Sequence, residues 1–115
     1  CYRSHTIKAS TQIATTLGLS ENQWEIAYQS RIGPGWLKPF TDKRLSQLPA
    51  EGKKSVAIVC PSFTSDCLET LEEIDIRGRK TFFDAGGEKM TYVPCLNESD
   101  QTIDLIECLV RNIKK

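Results

Sequence analysis

The segment Ser65 to Asp75 reads SDCLETLEEID, with five acids in eleven residues beside the thiol of Cys67. Carboxylates at this density can accept protons, and they can ligate a hard or borderline divalent cation. Asp66, Glu69 and Glu73 carry the right atoms for either task. Wound at 100° per residue, Cys67, Leu68, Leu71 and Ile74 fall on one helix face. Asp66, Glu69 and Glu73 fall opposite, joined further along by Arg77 and Lys80. Two readings follow. In one the acids lie in water: Asp66 and Glu69 make a D-x-x-E capping box and Glu73 pairs with Arg77 at i,i+4. In the other they face a cleft. Glu69 and Glu73 are like charges at i,i+4, which costs a helix a few tenths of a kcal/mol, so solvation alone gives no reason to place them there. In a cleft, partial burial would raise a carboxylate pKa and two neighbours would share a proton.

Which reading holds depends on the elements around the segment. Ser55–Cys60 (SVAIVC) is an unbroken β-branched run, as expected of a strand covered on both faces. A helix from Asp66 to about Ala85 follows, closed by Gly86-Gly87. Lys89–Cys95 (KMTYVPC) reads as another strand and Trp24–Gln29 (WEIAYQ) as a third. Ser4–Leu17 has helical periodicity, with Ile7, Ala14 and Leu17 on one side and Gly18 past its end. GPGWLKP is a loop, and Thr41-Asp42 open a short helix ending near Gly52. Asn97 or Ser99 caps a last helix with the stripe Ile103, Ile106, Val110 and Ile113. The order α-β-α-β-α-β-α predicts an α/β fold: a three-layer, Rossmann-like parallel sheet with helices on both faces. Three strands bury little by themselves, so a strand before Cys1 is expected, and with it a longer parent protein. The acidic helix then starts at the C-terminal ends of parallel strands, where open α/β sheets bind ligands. Gln29, Ser30 and Arg31 end a strand at the same edge.

Composition sets the outer limits. Fifteen basic and fifteen acidic residues cancel over 115, so no overall field points to nucleic acid. Five cysteines, without a CxxC pair, argue against a zinc finger or a disulfide framework and suit a reducing cytosol. Cys60, Cys95 and Cys108 sit in apolar runs and are expected to be buried. No apolar run reaches the ~20 residues of a membrane span.

Three stretches together resemble the ferrochelatase family: SFTSDCLETLEEIDIRGR, then FFDAGGEKMTYVPCLN, and upstream QSRIGPGWLKPFTD, similar to the family's Q-S-[RK]-x-G-x-x-x-W-[LI]-x-P-x-T-D. The likeness is to the C-terminal half, covering residues 1–115 as a partial second domain, and CLETLEE is most like bacterial forms. It implies insertion of Fe²⁺ into protoporphyrin IX, in a cytoplasmic protein whose N-terminal half forms the other wall of the cleft and whose parent can touch a membrane peripherally. It implies that Glu69 and Glu73 line the cleft, as proton relays or metal ligands, on a helix partly wound as π. It places Trp36 and Asp66 at the cleft's border, with Ser30 and Arg31 at the edge, and Cys67 where many members have histidine. GPGW is one residue shorter than the usual spacing. The family's S-x-H-x-L-P histidine has no counterpart in this sequence, and His5 has other flanks. The chain alone is therefore expected to be inactive. Iron is substrate and no cofactor is required. Cys1 stands where some relatives hold a [2Fe–2S] cluster, but Thr6 replaces the next cysteine and one thiol cannot supply four ligands. A non-catalytic haem, porphyrin or metal carrier and a sirohydrochlorin chelatase are the alternatives.

Overall fold

Two parallel strands, with one long helix between them in sequence, position the rest of the molecule. The structure, a computed structural model, describes residues 1–113. Helix α1 spans Tyr2–Thr16 and α2 spans Thr41–Gln47, the latter running into a 3-10 turn at Leu48–Glu51. Strand β1 (Ser55–Val59) leads into helix α3, residues 68–84, and strand β2 (Lys89–Val93) into helix α4, Asp100–Asn112. β1 and β2 pair in parallel from Ser55↔Lys89 to Val59↔Val93. The parallel α/β reading therefore holds, with a small open sheet.

The core lies on one face of that ladder. Leu45, Leu48, Cys60, Ile74, Phe82 and Met90 are buried together, with Val56, Ile58, Phe63 and Tyr92 packed against them. Phe82 and Ile74 are the largest of the fully enclosed side chains, so α3 anchors the core along its length. Strand β1 is not covered on both faces: Ser55, Ala57 and Val59 are exposed while Val56 and Ile58 turn inward. Among the described residues no element packs over the outer side.

Residues 24–29 do not form a ladder strand. They contribute one isolated parallel bridge, Tyr28 to Phe40, in which the Tyr28 N–H donates to Pro39 C=O (2.8 Å) and the Thr41 N–H to Tyr28 C=O (3.0 Å). The β-prone side chains gave the extended shape, but no described strand lies alongside to complete the pairing. The bridge still matters, because it fixes the two ends of the 30–39 loop at the start of α2.

Two more expectations change. The α4 stripe is not a core stripe: Ile103, Ile106, Val110 and Ile113 are each more than half exposed, and among the described residues α4 makes no substantial packing contact with another element. Ser99 is its N-cap, accepting from the Thr102 N–H, and Thr102 is its one buried residue. Cys108 is exposed on this helix and Cys95 only partly covered, whereas Cys60 is buried as expected. The Cα radius of gyration, 15.9 Å, exceeds the about 13 Å of a compact chain this long, as a projecting helix requires.

Candidate functional site

The strand-to-helix connection is tied down by Asp66. Its carboxylate accepts from Tyr92 Oη (2.5 Å), Asn97 Nδ2 (2.9 Å), Thr70 Oγ1 (3.0 Å) and the Cys95 N–H (3.3 Å), while its own N–H donates to Asn97 Oδ1 (2.8 Å). Tyr92, then Asn97, hold this acid well below the usual carboxylate range, because hydrogen bonds to the charged form favour it. Burial, and then the bond to Asp66, pushes the Tyr92 phenol up. Asp66 is thus not the first half of a capping box with Glu69. Cys67 is the N-cap, and its N–H donates to Thr70 Oγ1 at 2.9 Å. The sequence offered Asn97 only as a possible cap for the last helix and tied none of these partners to Asp66. The Asn in PCLN, which sits at φ +50°, was the available signal.

Beyond the cap the helix changes pitch. Leu68–Thr70 is α, Leu71–Gly78 is π, and Arg79–Asp84 is α again. In a π segment, i→i+5 bonding widens each turn, so residues four apart stay nearly in line. Thr70, Ile74, Gly78 and Phe82 are the buried row. Leu68 and Leu71, assigned to the inner face on a 3.6-residue wheel, are 73% and 46% exposed. Gly78 lets α2 approach, since a Cβ there would meet Leu45 Cδ1 at 3.0 Å. Arg77 Nε pairs with Glu72 (2.7 Å) and not with Glu73 as the α spacing predicts.

Glu69 and Glu73 form the row beside the buried one, and both meet the segment Gln29–Ser30. Gln29 Nε2 donates to the Glu69 backbone C=O at 2.7 Å, leaving the Glu69 side chain exposed. Glu73 is half-buried. Its Oε1 accepts from the Ser30 N–H (2.7 Å) and its Oε2 from Ser30 Oγ (3.1 Å). The Glu69 carboxyl lies below its usual range, first through a hydrogen bond from the Cys67 side chain and then through its own backbone. The expected upward shift fails at Glu69 because the group is in water and beside the Cys67 thiol and its own backbone N–H.

The same dipeptide gathers the other candidates. Trp36 Nε1 donates to Gln29 C=O (2.9 Å), with the ring 39% exposed, and Gln29 Oε1 lies 3.5 Å from Cys60 Sγ. Burial pushes that thiol up to about 12, so it stays protonated at neutral pH. Arg31 stacks its guanidinium 4.5 Å from the centre of the Phe40 ring. His5 is exposed on α1. Among the described residues no three His, Cys, Asp or Glu side chains come together as a metal site. Two grooves on the surface lie on α4 (Ile103, Ile106, Glu107, Val110, Arg111) and on α1 (His5, Lys8, Ala9, Gln12), away from Glu69 and Glu73. The acids, Ser30 and Trp36 thus form one wall and not an enclosed pocket.

A family model described as Ferrochelatase matches residues 1–114. The chain belongs to the ferrochelatase family. Among curated proteins it is 51% identical over 110 residues to the "Coproporphyrin III ferrochelatase" of Streptococcus mutans, covering 95% of this chain and 34% of that protein. It is 45% identical over 114 residues to a "Ferrochelatase" of Bdellovibrio bacteriovorus (98% and 34%), and 44% identical over 112 residues to one of Stutzerimonas stutzeri (96% and 32%). This ferrochelatase-family chain spans about a third of the length of those relatives. No helix among its described residues is long and apolar enough to cross a membrane.

Proposed function

We propose that this chain supplies the glutamate-bearing wall of a site where ferrous iron enters a porphyrin. Protoporphyrin IX is the expected macrocycle and protohaem the product, the last step of haem synthesis. One observation carries the reading. In a chain of this family, an exposed carboxylate (Glu69, in the α turn that opens the helix) and a half-buried one (Glu73, in the π segment that follows) lie one turn apart, both tied to Gln29–Ser30, whose next loop bears Trp36.

Metallation removes two pyrrole protons and strips water from the cation. Carboxylates serve both needs, and the lowered Glu69 carboxyl is ionised at neutral pH. Trp36 offers a flat apolar surface for a flat ligand. Arg31 lies on the same rim, able to meet an anionic substituent, and Ser30 beside it serves the site through its bonds to Glu73. Cys67, at the helix start, is a softer donor than the histidine many members carry there. Asp66 serves the site by fixing the helix start. The opposite wall, with its proton-accepting histidine, belongs to the rest of a longer protein, so this partial second domain is inactive alone. The compartment is the cytoplasm, and no resident cofactor is needed.

A second reading concerns the substrate only. The name of the Streptococcus mutans relative, at 51% identity, favours coproporphyrin III. The test is absorbance-monitored Fe²⁺ and Zn²⁺ insertion into each porphyrin by a complete protein carrying these residues. Turnover by the complete protein, none by this chain alone, and a loss of ~10²–10⁴-fold in Glu69→Gln are expected. Tight porphyrin binding without insertion would instead make it a carrier. Turnover only of sirohydrochlorin with Co²⁺ would make it a different chelatase.

A further inference from the structure

We infer that the two glutamates have different jobs, and that Glu73 is a positioning residue which latches the 30–39 loop to the π segment through Ser30. The inference rests on the proposed metallation site and divides the labour within it. Both Glu73 oxygens are engaged by one residue, Oε1 by the Ser30 N–H at 2.7 Å and Oε2 by Ser30 Oγ at 3.1 Å. Ser30 has φ +58°, a region that L residues rarely adopt. Glu73 supplies partners to both its amide and its hydroxyl, which helps hold the serine in that uncommon conformation.

The latch has reach on either side. The Ser30 neighbour Gln29 bonds the Glu69 carbonyl through Nε2 and the Trp36 indole through its own carbonyl. Arg31, on the other side, stacks on Phe40 at the loop's far end. Releasing Ser30 would therefore loosen the ring of Trp36 and the backbone of Glu69 together. Glu69 differs: its backbone is tied while its exposed carboxylate is not engaged by another segment. Glu69 is thus the carboxylate that meets porphyrin or metal.

Glutamine can keep the latch where alanine cannot. Its Oε1 still accepts the Ser30 N–H, and its Nε2 can donate to Ser30 Oγ. A proton acceptor or cation ligand has no such tolerance, because the amide carries no charge. The experiment compares the complete protein with its Glu73→Ala, Glu73→Gln and Glu69→Gln variants, by steady-state zinc insertion and by hydrogen exchange at the Ser30 amide. Glu73→Ala is expected to lose about tenfold or more in kcat/KM, mainly as a higher porphyrin KM, and to deprotect the Ser30 amide. Glu73→Gln recovers most of that loss and the protection. Glu69→Gln loses kcat with the protection intact. The latch is overturned if Glu73→Gln is as impaired as Glu73→Ala while Ser30 stays protected, or if Glu73→Ala leaves Ser30 protected. A wild-type protein that metallates neither porphyrin would sink the proposed function instead, and the exchange arm would still decide the latch.

Discussion

Arg77 pairs with Glu72, five residues earlier, and leaves Glu73 to Ser30. In an α-helix Glu73 and Arg77 would face each other at i,i+4. The π winding of Leu71–Gly78 moves the pairing by one residue and frees Glu73 for the loop. The Glu72–Arg77 pair is largely exposed, so its worth is about 0.2–1 kcal/mol. A double-mutant cycle of Glu72→Gln with Arg77→Gln, read by urea denaturation, should give a coupling of that size. The cycle of Glu73→Gln with Arg77→Gln should give none.

Asp66 sets an acid limit. Its folded carboxyl lies below its unfolded value, so its contribution is complete above about pH 4 and is lost as pH falls through the folded pKa. Glu69 and Glu51 are shifted in the same direction and add to this slope. Asp66→Asn should lower the melting temperature at pH 7 and flatten the fall in stability below pH 4. Asp84→Asn, which removes only the exposed pair with Lys80, should do neither.

Much of this was legible in the residues, and the exceptions share a cause. The strand SVAIV, the Ser99 cap and the Gly18 turn at φ +69° are local matters of branching, capping and backbone freedom. The acidic helix was legible as a helix, but its faces were misassigned, because the wheel assumes a pitch that the π segment does not have. Which residues hold Asp66 was hidden for another reason: Tyr92 and Asn97 lie 26 and 31 positions away and meet it only once β2 lies beside β1. The strand read at 24–29 and the inward stripe on α4 both rest on partners outside the local pattern.

Cys60 and Tyr92 set an alkaline limit with the opposite sign. Cys60 rises to about 12 through burial, and Tyr92 is also raised. Stability from Cys60 is complete below about pH 8.5 and is lost as pH climbs towards the folded value. At pH 8, maleimide labelling followed by mass spectrometry should modify the exposed Cys1 and Cys108 first and Cys60 last. Early labelling of Cys60 would show that its burial is not maintained.

Gly87 is a packing test. A Cβ built there would come within 2.3 Å of the Phe82 ring, which is fully enclosed. Gly87→Ala must displace that ring or the turn after α3, at a cost of about 1–3 kcal/mol. Gly33→Ala, with open space around it, should change chemical-denaturation midpoints little.

Val59 and Val93 stand side by side at the end of the ladder, about half exposed. With the bare isoleucines of α4, they give these residues an adhesive flank. Clumping of the isolated chain as it is concentrated, and uptake of an environment-sensitive dye, would follow from that greasy ridge. Such behaviour would say nothing about iron.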